Sequence, residues 1–497
     1  KDGSCIHSNL CSFSHLRLLS RGRGPITPVK PTSLPPSTPH PTMEKAAQRQ
    51  KVLLSHLASA HGTPEVAPQP TSAESHDRRA GDLDDVVIVS TCRTALCRAR
   101  RGGFKDTPVD DLIAAVLKDT LRRTGIEPEA VGDIVFGSVM GPSSQRANEL
   151  RMAMLFAGFP HTVPVHTLNR QCSSGLQAMA SVAASIKAGY YTMAIAGGVE
   201  HMTSNPMNWE GTVNPRVATC QEAADCLIPM GITSENVSAQ FGMTRAEQDA
   251  FALRSHRLAA AARAAGKFKN EIVPVETVLK DANGEERRVT ISEDDGIRPE
   301  VTLATLAALK PAFKKGGSTT AGSSSQTTDG AAAVLMMTRR EARRRGLPVL
   351  AIFRSFAAVG VPPAIMGIGP VAAIPEAVRR AGLGLDDVDV FEINEAFASQ
   401  ALYTVKKLGL DLERVNPNGG AIALGHPLGC TGARQAATLI NEMQRRGKAA
   451  RFGVISMCIG SGMGAAAVLE RDFSDDAERS ARPATGVHAG LSRQFAG

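Results

Sequence analysis

A chain of 497 residues is long for one ordinary domain, and a hydrophobic content of 43% supplies apolar side chains for two or three cores. One Trp and three Tyr offer no run of stacking platforms for single-stranded nucleic acid. Half of the net charge of +8 comes from residues 1–42, where Lys1, Arg17, Arg21, Arg23 and Lys30 face only Asp2, so basicity belongs mostly to a tail.

Nine scattered cysteines lack zinc-type paired spacing and point to free thiols in a reducing compartment. No apolar run approaches the roughly 18 residues that a membrane span needs. Residues 1–42 are rich in Pro, Ser and Thr without periodicity and are expected not to fold. At Met43 the text changes, and residues 43–57 read as a short amphipathic helix with Arg49, Leu53, His56 and Leu57 on one face. The stretch from Arg49 to Leu57 resembles the loose N-terminal peroxisomal targeting nonapeptide: a basic residue, an aliphatic or Gln, five residues, His or Gln, then Leu or Ala. A transit peptide to another organelle competes, because residues 1–42 are poor in acids; closeness to Met43 favours the peroxisome and its import receptor. Residues 1–83 are thus expected to be leader, targeting peptide and linker.

The folded part opens with Val86-Val87-Ile88-Val89, a buried strand. A helix follows over Val109–Thr124, a strand over Ile134–Gly137, and a strand with a tight turn over Met193-Ala194-Ile195-Ala196-Gly197-Gly198. Strands alternating with helices predict parallel sheets in a layered α/β architecture. Between the second and third strands lies Asn169-Arg170-Gln171-Cys172-Ser173-Ser174-Gly175-Leu176-Gln177-Ala178, where apolar residues at Leu176, Met179, Ala180, Ala183 and Ile186 predict a helix with one buried face. Cys172 is then expected at the helix N-terminus, where free N–H groups and the helix dipole lower a thiol pKa. A buried structural cysteine is the alternative reading of that residue alone.

An internal repeat divides the chain. Residues 111–133 match residues 371–389 in the order helix, Arg-Arg, Gly, turn and acidic residues before a strand, and the Ser174-Gly175 helix start resembles Thr431-Gly432. Two similar α/β halves result, 84–205 (completed by 318–340) and 347–470, with their equivalent helix N-termini able to face one pocket. Residues 206–317 break the pattern and are expected to be an inserted loop domain with a binding role. The segment 471–497 is expected to be a disordered tail; it ends Gln494-Phe495-Ala496-Gly497, which is not the C-terminal peroxisomal tripeptide.

Four motifs occur in order: Cys172; Asn394-Glu395-Ala396-Phe397 after an apolar strand; Asn416-Pro417-Asn418-Gly419-Gly420-Ala421-Ile422-Ala423-Leu424-Gly425-His426-Pro427; and Cys458-Ile459-Gly460-Ser461-Gly462-Met463-Gly464. Together with Ala196-Gly197-Gly198-Val199-Glu200-His201-Met202 and Thr320-Ala321-Gly322, they make nearly all of residues 84–470 resemble the thiolase family. The resemblance implies a five-layer α-β-α-β-α fold, a homodimer, and carbon–carbon cleavage of a 3-oxoacyl-CoA by CoA to acetyl-CoA and a shortened acyl-CoA. It assigns Cys172 as nucleophile, His426 as its base and as an oxyanion donor, and Cys458 as acid and base. It makes Asn394 the holder of an oxyanion water, Gly460 a backbone oxyanion donor and Ser325 a pantetheine contact. No metal or redox cofactor is implied, and CoA is a substrate. Cations at Arg254, His256 and Lys267 are candidates for its phosphates. Ser323 stands where the family's pattern usually has Asn, which puts the hydrogen bonding of that loop in question.

Related condensing enzymes lack a second catalytic cysteine, so Cys458 argues against them. A cysteine hydrolase needs a third group to orient its His, for which the sequence offers no persuasive candidate, and a noncatalytic CoA or lipid binder needs none of the three residues. Between a degradative and a biosynthetic acetoacetyl-CoA role, the peroxisomal-type leader favours the degradative one, the last step of fatty-acid β-oxidation.

Overall fold

The computed structural model describes residues 82–473 except 143, 144, 209 and 210. The targeting helix expected over 43–57, the linker to residue 81 and the tail from residue 474 lie outside the described residues.

Strand β1 (Val86–Thr94) is buried along its whole length, as its apolar run predicts for a central strand. Helix α1 (Val109–Thr124) carries Asp110 and Asp111 in its first turn and Arg122 and Arg123 in its last, charges that oppose the helix dipole. Strand β2 (Ile134–Gly137), helix α2 (Arg146–Phe156), strand β3 (Val165–Leu168), helix α3 (Ser174–Lys187) and strand β4 (Met193–His201) follow. The next segment holds helices α4 (Met230–Phe241) and α5 (Arg245–Ala264) and the hairpin β5 (Val275–Lys280) and β6 (Glu286–Ile291). The first half closes with β7 (Thr328–Thr338) and helix α6 (Arg339–Arg345). The second half contains β8 (Ala351–Gly360), α7 (Gly369–Arg380), β9 (Val390–Ile393), α8 (Ala398–Leu408), α9 (Thr431–Arg446), β10 (Phe452–Ile459) and β11 (Met463–Glu470).

The strand order β1-β7-β4-β2-β3 in the first half mirrors β8-β11-β10-β9 in the second. In the second half a single parallel bridge, Phe391 to Val415, stands where β3 pairs with β2 in the first. The halves join where β1 meets β8 antiparallel, at Val87 with Ile352 and Ile88 with Ala351. The expected all-parallel sheets are in fact mixed: β4–β7 and β7–β1 run antiparallel, as do β10–β11 and β11–β8. Parallel neighbours need a crossover connection of about a dozen residues or more, whereas antiparallel neighbours can be joined by a tight turn. The chain re-enters at β7 after a long excursion, and β10 turns into β11 through three residues.

Alternation along the strands produces the layers. Ile134 and Phe136 face α1 and α2, whereas Val135 faces an inner core shared with Leu176 and Met179 of α3 and Ala433 and Ala436 of α9. In the second half Ile455 and Met457 face that same inner core, and Val454 faces outward against Ala373 and Ala377 of α7. Helix, sheet, paired inner helices, sheet and helix make the five expected layers.

The inner helices cross at glycines. A Cβ on Gly432 would lie 2.2 Å from the Leu176 amide nitrogen, and one on Gly175 would lie 2.7 Å from the Gly429 carbonyl. The tight turn expected at Gly197-Gly198 is instead the middle of β4; a Cβ on Gly198 would stand 2.0 Å from Gly429 O, so smallness rather than turn conformation is what the position needs. Four helices end alike, with one carboxylate forked by arginines three and four residues on: Asp119 with Arg122 and Arg123, Glu341 with Arg344 and Arg345, Glu376 with Arg379 and Arg380, and Glu442 with Arg445 and Arg446. At the C-terminal end, the segment expected to be loose from residue 471 stays packed at its start, where Asp472 is buried and pairs with Arg339.

Gly432→Ala should push α3 and α9 apart and cost about 1–3 kcal/mol, as overpacking of a close core contact does. A lower urea midpoint measures this; an unchanged midpoint would show that the crossing tolerates a side chain.

Candidate active site

Cys172 sits in a tight turn that feeds α3: Ser173 N donates to Arg170 O at 3.1 Å and Ser174 N to Gln171 O at 2.9 Å. Its thiol is buried against Met202 and Leu428. The helix-start position is as expected, but its expected effect on the thiol is outweighed. Burial pushes the Cys172 thiol up to about 11, while the N–H groups of Gly460 and of Cys172 itself pull it down. Removing a thiolate from water costs more here than two peptide dipoles return.

His426 follows Gly425, whose φ of 108° excludes a side chain and whose Cβ would strike Thr328 Oγ1. The backbone is then pinned by His426 N donating to Thr328 Oγ1 at 3.1 Å and to Gln326 O at 3.2 Å. Thr431 Oγ1 lies 2.7 Å from His426 Nδ1 and donates its own proton to Pro427 O at 3.1 Å. Thr431 must therefore accept from Nδ1–H, which leaves Nε2 as the unprotonated ring nitrogen. Asn394 Nδ2, 3.3 Å from that Nε2, is a donor toward it. Burial, reinforced by the Arg434 charge, lowers the His426 pKa to about 3, so the imidazole is a neutral base at physiological pH.

Asn394 directly follows β9, held by its N–H to Ser456 O at 2.8 Å on β10. It is fully buried, and its Oδ1 has no hydrogen-bond partner among the described residues. Cys458 closes β10 amid Met230, Met366 and Phe397. Burial first, and the neighbouring Cys172 charge second, hold its thiol far above the usual range, which keeps it protonated. Gly460 opens the hairpin loop beyond, with its N–H directed to Cys172. Cys172, His426, Asn394, Cys458 and Gly460 are thus brought together from five loops and strand ends. Ser325 is half-buried at the margin, with its N–H bound to Ala396 O at 2.9 Å beside the Asn394 loop. Ser323 is fully buried and satisfied: its Oγ accepts from Thr320 N at 2.9 Å, so the loop keeps a closed hydrogen-bond pattern without Asn.

The cations singled out for CoA phosphates are committed elsewhere. Arg254 donates to Leu412 O and Val415 O, His256 Nδ1 accepts from Arg298 N, and Lys267 binds Asn418 Oδ1 at 3.1 Å. Sequence reasoning missed Thr431, the group that orients His426, although it occupies the repeat position of Ser174. It also missed Glu395, whose buried carboxylate accepts from Ser255 Oγ at 2.6 Å, Asn416 Nδ2 at 2.7 Å and Ile422 N at 3.2 Å, tying α5 and the His426 loop to Asn394. A Glu at the end of an apolar strand was the available signal.

Thr431→Val keeps the side chain's shape but strands Nδ1–H without an acceptor. Turnover should fall roughly tenfold or more with the fold retained, the cost of one lost buried hydrogen bond; circular dichroism beside steady-state rates checks both halves. Because the thiol lies near 11, alkylation of Cys172 by iodoacetamide without substrate should rise about tenfold per pH unit between about pH 7 and pH 9. Peptide mass spectrometry reads this, and a plateau near neutrality would contradict the neutral resting state.

The model of the thiolase N-terminal domain matches residues 86–340, and that of the thiolase C-terminal domain matches residues 347–471. The chain is 59% identical over 460 residues to the peroxisomal 3-ketoacyl-CoA thiolase 2 of Arabidopsis thaliana, covering 88% of this chain and 97% of that one. It is 54% identical over 426 residues to the human peroxisomal 3-ketoacyl-CoA thiolase, covering 85% and 99%. Its fold superposes with a TM-score of 0.72 on the dimeric peroxisomal thiolase of Saccharomyces cerevisiae, at 44% identity, covering 80% of this chain and 99% of that one. With the neutral thiol, the oriented imidazole and the second buried thiol in one site, these matches have a single reading: the chain belongs to the thiolase family.

Proposed function

We propose that the chain cleaves 3-oxoacyl-CoA with CoA, yielding acetyl-CoA and an acyl-CoA two carbons shorter, in fatty-acid β-oxidation in the peroxisome. The observation that carries this reading is the second buried thiol, Cys458, held protonated beside a nucleophilic Cys172. The names of the similar proteins support the substrate class and the compartment.

The Cys172 sulfur attacks the C3 keto carbon as its proton passes to His426 Nε2. The carbon–carbon bond to C2 breaks, its electron pair forms the enolate of acetyl-CoA, and Cys458 protonates that carbon. The enolate oxygen is met by His426 and by a water held on Asn394. CoA then enters and loses its thiol proton to the Cys458 thiolate. Its sulfur attacks the acyl–Cys172 thioester, and Cys172 leaves and recovers its proton from His426. The N–H groups of Cys172 and Gly460 meet the oxyanion of both tetrahedral intermediates, where loss of one donor typically costs ~100- to 1000-fold. Sulfur and thioester supply the reactivity, so the steps call for no metal or redox group. Ser325 contacts the pantetheine arm in this reading. Import rests on a receptor for the segment from Arg49 to Leu57. The working form is a homodimer, in keeping with the dimeric yeast relative and with Met152, Leu155 and Phe156 exposed on α2.

3-Oxohexadecanoyl-CoA should disappear only when CoA is present, and Cys172→Ala should abolish turnover while leaving substrate binding intact. Disappearance without CoA would indicate a hydrolase, and turnover of acetoacetyl-CoA alone would indicate a biosynthetic role.

A further inference from the structure

We propose that Gln171 is a positioning residue that clasps the two backbone oxyanion donors into register, by a link running from its Nε2–H to Ser461 Oγ and on to Gly460 O. The proposal rests on the oxyanion role given above to Cys172 N–H and Gly460 N–H.

Those two donors lie far apart in sequence, on the turn before α3 and on the β10–β11 hairpin loop. A side-chain bridge joins the loops directly beside them: Gln171 Nε2 donates to Ser461 Oγ at 2.9 Å, and Ser461 Oγ donates to Gly460 O at 2.5 Å. The other end of the same amide is pressed against the donor residue itself, since a Cβ on Gly460 would lie 2.0 Å from Gln171 Oε1. One carboxamide thus fixes the far loop by its nitrogen and occupies the space beside Gly460 by its oxygen.

Both partners hold strained backbone. Gln171 has φ 45° and Ser461 φ 61°, left-handed conformations that side-chain-bearing residues rarely adopt. Such strain persists where surrounding contacts over-determine it, and it gathers at sites that need fixed geometry. On the nucleophile side the turn is closed by Gln171 N donating to Asn169 Oδ1 at 2.8 Å and by Ser174 Oγ donating to Gln171 O at 2.6 Å. Gln171 thus engages its N–H and C=O in the nucleophile turn and its Nε2 in the far loop. Its action is on donor placement, to which the tetrahedral intermediates are sensitive.

The test compares Gln171→Leu, which keeps the bulk and loses both polar ends, Ser461→Ala, which removes the relay, and the double variant. Each single variant should lower kcat by about 10- to 100-fold with KM for 3-oxohexadecanoyl-CoA within about twofold, as expected when donors are misplaced rather than lost. The double variant should be no slower than the worse single, because both substitutions break one link. Thermal melting confirms that each variant folds, and Ser461→Ala carries the test if Gln171→Leu does not. Single variants with unchanged kcat, losses that multiply in the double variant, or a loss confined to KM would each overturn the clasp. If the unaltered chain lacks turnover, or Cys172→Ala retains it, the catalytic reading itself fails, an outcome separate from those.

Discussion

The approach of α3 to α9 at Gly175 and Gly432 is the constraint on which the rest of this molecule depends. Peptide backbone meets peptide backbone there, so no side chain can cushion or vary the distance between the two helix starts. The nucleophile turn leads into one helix and the base loop into the other, and their separation is inherited from that crossing. Glu200 reinforces it from β4: its buried carboxylate accepts from Val139 N, Met140 N and Gly429 N at 2.8–3.0 Å, joining the two halves at the level of the site. Burial raises the pKa of this carboxylate, while the three N–H donors oppose the shift.

A second theme is that the site rests uncharged. Cys172 and Cys458 are held as thiols and His426 as a neutral imidazole, each chiefly by burial. An ion pair standing in so dry a place would be costly. In the proposed reaction charge is created only during attack, when the N–H groups of Gly460 and Cys172 would face an oxyanion. Preorganised dipoles then act without having to reorient. This explains why so many contacts around the site fix geometry rather than carry protons: Thr431 sets the imidazole tautomer, Glu395 anchors the loops on either side of Asn394, and neither touches the reacting atoms.

The limits of what the sequence tells follow from the same physics. The boundaries Val109–Thr124 and Ile134–Gly137 were legible because composition and periodicity are local, and the helix-Arg-Arg-Gly repeat was legible because the carboxylate fork that ends α1 and α7 is written within five residues. The ordered motifs around Cys172, Asn394, His426 and Cys458 were legible as a family pattern. Strand direction was misread because it depends on connection length rather than strand composition. Gly197 and Gly198 were misread because the atoms that forbid their side chains belong to Ala332, Phe136 and Gly429, residues far along the chain. The thiol shift was misread because a helix start can be recognised in text, whereas complete removal from water cannot.

The duplicated scaffold has one further consequence. With Ser174 and Thr431 as matching first residues of α3 and α9, the position equivalent to Cys172 is Gly429. A Cβ there would stand 2.6 Å from Ser138 Cα, so the second copy of the nucleophile's place is closed to any side chain. Symmetry of fold is therefore not symmetry of chemistry. In the proposed reaction the first repeat supplies the atom that is acylated and the second supplies the base, acid and hairpin donor, so that neither repeat alone would make a complete catalyst. A descendant of this architecture cannot gain a second centre by copying the first; it would have to rebuild the contact between Gly429 and the β2 end before a cysteine could be lodged there.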